Sequence, residues 1–395
     1  MSSPLEVLRA FVGLGLRSFG GPIAHLGYFR EEFVVRRGWL GDAAYAELVA
    51  LCQFLPGPAS SQVGFAIGLG RAGFTGALAA WVGFTLPSAA ALVAFAFGAR
   101  SLAGPAGTAL LHGLQLTAVA IVAQAVISMA RNFCRDAARI AIALGALVVV
   151  LTGASGSAQI AAIAAGGVAG LILCRRVQSP AAGELAVPVS RAAGVAALVV
   201  FAALLVALPL MRRATGSQDL ALLEAFYRCG ALVFGGGHVV LPLLREAVVA
   251  PGWVSDGAFL SGYGAAQAVP GPLFSFAAYL GAVVRIGPGG VAGAALALIA
   301  IYLPGLLLLV GVLPLWQGIK RAPHAPAVIA GVHAAVVGLL AAALYNPVWV
   351  TAVRSRADFA VAALGFVVLV AFRMPPLAAV AIGALGGLAL GLLAG

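Results

Sequence analysis

The stretch from Gln53 to Gln62 places three helix breakers beside three hydrogen-bonding side chains: Pro56, Gly57 and Pro58 are followed by Ser60, Ser61 and Gln62. Pro58 cannot continue a helix begun before Pro56, yet proline is tolerated in the first turn of a new one. A second helix should therefore start near Pro58, with its free N–H groups and positive dipole end facing the break. Such an end favours an anion, and Ser60, Ser61 and Gln62 add neutral donors in that first turn. A kink that merely eases packing is the alternative. The pattern recurs as Gln267, Pro270, Gly271 and Pro272, after which only Ser275 keeps a hydroxyl. The first copy is chemically the richer.

A second pair of breaks is Phe19-Gly20-Gly21-Pro22 and Phe234-Gly235-Gly236-Gly237. Glycine runs let backbone approach a ligand or a neighbouring helix closely. Arg17 and Arg228 fall near these breaks, and an arginine inside a bilayer is a functional hypothesis by default. Its planar fork suits a tetrahedral oxyanion; pairing with Glu47 or Glu224 is the competing reading. Arg30-Glu31 and Arg245-Glu246 are read as gating groups or as interfacial ion pairs. His25 and His238 sit beside the glycine breaks and are candidates for carrying a proton. Cys52, Cys134, Cys174 and Cys229 are too scattered for a metal or redox motif. No His/Cys/carboxylate cluster has metal-site spacing, no phosphate-binding loop is present, and no cofactor is expected. Ser60 with His25 lacks a third member, so an enzyme is not expected.

The elements that must position these groups follow from composition. Of 395 residues, 63% are hydrophobic and 9% charged, with a mean hydropathy of +1.09. A soluble domain carries about 25% charged residues. A bilayer is the solvent that tolerates so little polar surface. The net charge of +11 comes from 22 arginines and Lys320, mostly single or paired between apolar runs. That is the distribution of basic loops flanking spans, and it excludes nucleic acid as a partner.

Spans are expected at 74–98, 108–130, 191–211, 288–315 and 325–345. Two shorter pairs, 138–153 with 157–174 and 357–372 with 376–394, read as helical hairpins. Four further stretches, 5–27, 43–70, 219–244 and 258–284, are interrupted by Gly or Pro. The polar segment 175–190 reads as a linker. The expected organisation is an N-terminal repeat (1–174), a linker with a connecting helix (175–218) and a C-terminal repeat (219–395).

The repeat rests on ordered matches. Phe19-Gly20-Gly21 returns 215 residues later as Phe234-Gly235-Gly236, and Arg30-Glu31 as Arg245-Glu246 at the same offset. Trp39, Asp42, Gln53 and Arg71 match Trp253, Asp256, Gln267 and Arg285, and Leu86-Pro87 matches Leu303-Pro304. Duplicated halves with paired, interrupted spans are the signature of secondary transporters, which bind where the halves meet. With both interrupted stretches of each half re-entrant, the halves are inverted and loop Lys/Arg divide 13 against 7, favouring the N-terminal side. If only the Pro-Gly-Pro stretches re-enter, the division is 14 against 6 and the halves are parallel. Inverted halves with a cytoplasmic N-terminus are expected. The fold class is thus an all-α polytopic membrane protein of two homologous halves with Gly/Pro-broken helices or re-entrant hairpins.

The order Phe-Gly-Gly-Pro, Arg-Glu, Gly-Trp and Gln-x-x-Pro-Gly-Pro, followed by the motif at 70–88, resembles the chromate ion transporter family in its long, two-domain form. The resemblance covers essentially the whole chain. It implies export of chromate from the bacterial cytoplasm across the inner membrane, resistance to chromate, proton coupling, and halves of opposite orientation. The family's important residues correspond to Phe19–Pro22, Pro56–Pro58 and their C-terminal counterparts, with Gly237 standing where the first repeat has Pro22. Chromate and sulfate are both tetrahedral dianions, so transport of sulfate or another anion stays open. So do a non-transporting scaffold and association into a homodimer.

Overall fold

The computed structural model describes residues 3–99, 104–153, 157–174, 189–234, 237–320 and 324–394. Among them there is no strand. The chain opens with α1 (Pro4–Gly15), α2 (Gly21–Phe29), α3 (Asp42–Phe54) and α4 (Ala59–Ala99). Next come α5 (Pro105–Phe133), α6 (Ala137–Thr152) and α7 (Ser157–Leu173). The connecting helix is α8 (Arg191–Thr215). The pattern then repeats with α9 (Gln218–Leu232), α10 (Val240–Val248), α11 (Asp256–Ala268), α12 (Phe276–Val283) and α13 (Gly290–Val312). A short α14 (Trp316–Lys320) leads to α15 (Ala325–Ala343). The chain ends with α16 (Val350–Ala352), α17 (Arg356–Val370) and α18 (Pro376–Ala394).

Helix starts follow local chemistry. Ser190, Ser217, Ser255 and Ser355 each accept from the backbone N–H three residues on, and Asp136 does the same for α6. Pro105 opens α5, where its missing N–H costs nothing. Each of the five expected uninterrupted spans is a helix, and among the described residues five helical stretches are long and apolar enough to cross a membrane. Their burial differs in an informative way. Only 17% of the most apolar part of α8 is buried within the protein, against 78% for the stretch starting at Ala325. Val195, Val199 and Val206 of α8 are more than half exposed, a surface suited to lipid rather than water.

Each of the four interrupted stretches is a pair of helices joined by a non-helical break. The 41-residue α4 is itself two arms, because Ala72 and Gly73 leave helical geometry. The arms fold back on each other: Gly68 of the first lies against the backbone of Gly76 in the second. Gly281 and Gly293 make the same contact in the second half, between α12 and α13. The chain is a polytopic all-α membrane protein of two homologous halves.

The halves interdigitate. Gly166 and Gly170 of α7 lie against Gly331 of α15, and Gly113 of α5 lies against Gly383 and Gly387 of α18. Each half thus packs its hairpin on the other half's long helix. With no hydrophobic drive between helices in lipid, such small-residue contacts supply the attraction through close packing. The expected linker falls largely on 175–188, and the expected hairpin turn on 154–156; both lie outside the described residues.

Candidate functional site

The site forms where the four breaks meet. The Gly57 N–H donates to the Val233 carbonyl at 2.7 Å, and the Gly271 N–H donates to the Ser18 carbonyl at 2.9 Å. Ser18 and Val233 stand just before the two glycine breaks, so each Pro-Gly-Pro break is bonded to the other half's glycine break. Gly57 has φ +123° and Gly271 φ +106°, a region closed to residues with a Cβ. Past Pro58 the chain becomes helical at Ala59, with the Gln62 N–H closing the first turn on the Pro58 carbonyl at 2.9 Å. In the second copy a 3₁₀ turn over Leu273–Ser275 precedes α12. The Gln62 amide donates to Pro56 O at 3.0 Å and to Gly305 O at 2.8 Å, tying the first break to α13.

Beside these breaks lies a cluster of hydroxyls. The Tyr302 hydroxyl faces those of Ser61, Thr85 and Ser275. The four occupy corresponding places in the repeats: Ser61 matches Ser275, and Thr85 and Tyr302 precede the matched Leu-Pro pairs. All four are at least 98% buried. Ser88 donates to Thr85 O at 2.9 Å, which leaves Ser275 to donate to Ser88 across 2.6 Å. The hydroxyls of Ser61, Thr85 and Tyr302 face one another without a well-aligned hydrogen bond, and the indole N–H of Trp81, whose ring meets Tyr302 edge-on at 5.6 Å, has no partner among the described residues.

Unpaired buried donors are costly and rare in native proteins. Four of them here, Ser61 from the first turn of the first α4 arm, Trp81 and Thr85 from the second arm and Tyr302 from α13, form a neutral, donor-rich cluster of a kind that suits an anion. The geometry suits an anion with several acceptor oxygens better than a cation.

A family model described as chromate transporter matches residues 5–171 and again 220–388. The chain belongs to the chromate transporter family. Similar curated proteins include the chromate transport protein of Pseudomonas aeruginosa, 28% identical over 356 residues, covering 90% of this chain and 83% of that one. The chromate transport protein of Cupriavidus metallidurans is 28% identical over 368 residues, covering 92% and 86%. An uncharacterized transporter of Methanocaldococcus jannaschii is 24% identical over 347 residues, covering 86% and 83%. No solved structure matches the chain significantly.

In this member of the chromate transporter family the charged candidates lie outside the hydroxyl cluster. Arg17 is half-exposed and donates to Glu32 at 3.1 Å, together with Arg36 at 3.0 Å and Arg37 at 2.7 Å. Burial pushes the Glu32 carboxyl up, but the Arg37 hydrogen bond and the charges of Arg37, Arg36 and Arg17 outweigh it. The carboxyl sits below its ordinary range. Arg228 and Arg212 both hold Glu224, at 3.1 and 3.0 Å. Arg30 pairs with Asp42 at 2.8 Å and Arg245 with Asp256 at 2.9 Å, so equivalent arginines pin the starts of α3 and α11. Glu31 is exposed, and Glu246 lines a cavity of about 170 Å³ with Arg228 and Gln159. Glu47 is buried and accepts from the Trp316 indole at 3.1 Å.

His25 joins the two first-half breaks. Its Nε2 lies 3.1 Å from Ser18 O and its Nδ1 3.4 Å from the Ser60 hydroxyl, which places the proton on Nε2. His238 instead faces the Tyr263 hydroxyl at 2.6 Å. Gly20 and Gly21 take φ +102° and +75°; Gly235 and Gly236 lie outside the described residues. Gln53 is exposed, while Gln267 is partly buried with its amide nitrogen unpaired. Sequence reasoning missed Thr85, Ser88, Tyr302 and Trp81. A usable signal existed: Thr85 and Tyr302 each precede the repeated Leu-Pro pair, and both carry a hydroxyl.

Proposed function

We propose that this protein carries chromate out of the bacterial cytoplasm across the inner membrane, driven by the proton gradient, with resistance as the result. The observation behind this reading is the convergence of Ser61, Thr85, Ser275 and Tyr302 from corresponding positions of two interlocked halves. A secondary transporter binds at the junction of its repeats, with helix ends directed at the substrate. Chromate is a tetrahedral dianion, and hydroxyls, the Trp81 indole and a helix N-terminus offer it neutral donors from several directions. Dispersing the charge over neutral donors lets the anion bind without a buried cation that would hold it too tightly to release. The chromate transport proteins among the relatives support the substrate. Inverted halves with a cytoplasmic N-terminus fit the loop-charge division and the reciprocal contacts. Gln62, His25 and Ser60 then shape the first break, and the exposed arginine pairs mark the interfaces.

The test is uptake of radiolabelled chromate into everted vesicles, with and without a proton gradient and with sulfate as competitor. Gradient-dependent accumulation, reduced at least about tenfold by Ser61→Ala with Tyr302→Phe, is expected from lost charge-assisted hydrogen bonds. Accumulation of sulfate with no chromate uptake reassigns the substrate. No anion uptake by folded protein ends the reading.

A further inference from the structure

A cavity of about 390 Å³ opens between α4, α5, α11 and α12, apart from the hydroxyl cluster. His112, Gln115, Ser261, Tyr279 and Arg354 are among its lining residues. Here His112 Nε2 lies 2.8 Å from Asp358 Oδ1. The Asp358 side chain is 7% exposed, and its second oxygen accepts from the Arg354 backbone N–H at 3.0 Å. Among the described residues this is the one histidine–carboxylate pair.

The pair has an imbalance. With Nε2–H facing Asp358, the ring nitrogen Nδ1 is a bare acceptor, and it is buried without a partner. Gln115 follows three residues later on the same face of α5. Its amide donates to Gly257 O at 3.2 Å and to the Ser261 hydroxyl at 3.3 Å, which leaves Oε1 also buried and unpaired. Two bare acceptors and a buried carboxylate line up beside one water-accessible cavity. A proton taken up on Nδ1 would give that nitrogen a hydrogen to donate on the helix face it shares with Gln115, and would set an imidazolium against Asp358.

We propose that the His112–Asp358 pair is the proton-binding site of this transporter, loaded from and emptied to water in the cavity. The idea deepens the proton-coupled transport reading and rests on it for its functional meaning. Among the described residues, other charge facing the pair is sparse. Arg354 reaches the cavity with its Nε on Thr351 O at 3.1 Å. Asp256 at the start of α11 is held by Arg245. Tyr279 of α12 gives its proton to Ala258 O at 3.0 Å. Ala96 and Ala99 come from α4, and Gly383 and Gly387 from α18. His333 of α15 packs against Phe133 in a tilted arrangement, at the opposite end of α5.

His25 and His238 make weaker claims. His25 already has both ring nitrogens engaged, and among the described residues His238 is bonded to a neutral phenol. Position favours His112 as well. The cavity wall is built from α11 and α12, the helices flanking the Pro270–Pro272 break, and Tyr279 stands one turn beyond Ser275. A change of charge here acts on the helices that carry half of the hydroxyl cluster.

The test uses purified protein in liposomes with radiolabelled chromate. His112→Gln and Asp358→Asn should each cut gradient-driven accumulation at least about tenfold while leaving gradient-free exchange of labelled for unlabelled chromate intact. Retained exchange also proves folding. Wild-type accumulation by His112→Gln, or equal loss of exchange and accumulation, overturns the proposal. If the wild type exchanges no anion, the transport reading fails first. Ring-labelled histidine resonances then decide the proton site separately. A His112 ring in one protonation state from about pH 5 to about pH 9 overturns it.

Discussion

The Gly57 N–H donates to the Val233 carbonyl at 2.7 Å, joining the Pro-Gly-Pro break of the first half to the glycine break of the second. Gly271 and Ser18 repeat the bond in reverse at 2.9 Å. Unwound backbone in a bilayer must find partners inside the protein. Here one backbone N–H of each Pro-Gly-Pro break is satisfied by the other half. A transporter gains from this: moving one half against the other necessarily works on the backbone beside the site.

Gly57→Ala tests that junction. A Cβ there would meet Gln62 Nε2 at 2.8 Å and Gly305 Cα at 3.0 Å, in a backbone region that costs about 1–3 kcal/mol for residues other than glycine. Lower thermal stability in detergent and at least about tenfold slower transport are expected. Wild-type stability and flux together would show that the junction is not strained by a side chain.

Tyr302→Phe separates binding from folding. The Tyr302 hydroxyl makes no well-aligned hydrogen bond within the protein, so removing it should leave stability unchanged or raise it. Loss of a hydrogen bond to a charged ligand costs about 1.5–3 kcal/mol, or roughly 10- to 100-fold in affinity. Titration of chromate by thermal shift measures both quantities at once. A destabilised variant with unchanged affinity would assign the residue to packing.

Glu32 sets an acid dependence. Its folded carboxyl lies below the ordinary range, so its stabilising contribution is present above the unfolded value and lost as pH falls through the folded one. Glu32→Gln should therefore be less stable than the wild type near neutrality and converge with it in acid. Melting temperatures taken from about pH 7 down to about pH 3 follow the convergence, against an ordinary glutamate near 4.3. A gap that persists at the acid end would mean a lost steric fit.

Two glycines test the interlock of the halves. At Gly331 a Cβ would stand 2.7 Å from Gly170 Cα and 2.8 Å from its nitrogen. Gly331→Val should cost about 1–3 kcal/mol by overpacking α15 against α7. Gly145 in α6 has open space around it, so Gly145→Ala should be neutral or stabilising by about 0.5–1 kcal/mol. Equal effects of the two substitutions would contradict the close approach of α15 and α7.

Much of this molecule was legible before any tertiary structure. Composition alone required a bilayer, because 9% charged residues cannot clothe a soluble surface of this size. Ordered recurrence of Pro56-Gly57-Pro58 and Leu86-Pro87 revealed the duplication, since proline and glycine at matching sites are not interchangeable with an apolar background. Helix positions followed from span length and from breakers, both of which are local properties. Pro58 marked a new helix start for the same reason.

Only the tertiary structure decided who meets whom. That Gly57 bonds to Val233, in the other half, is set by how the bundle packs, and no local signal carries it. Thr85 and Tyr302 are marked in the sequence by their shared place before the repeated Leu-Pro pair, but only the packing shows that they meet Ser61 and Ser275. Arg17 and Arg228 stood beside the breaks in sequence, yet Glu32 and Glu224 draw their guanidinium groups away. Each arginine pairs with a buried carboxylate that lies close in space, and distance in space is what a chain of 395 letters does not state.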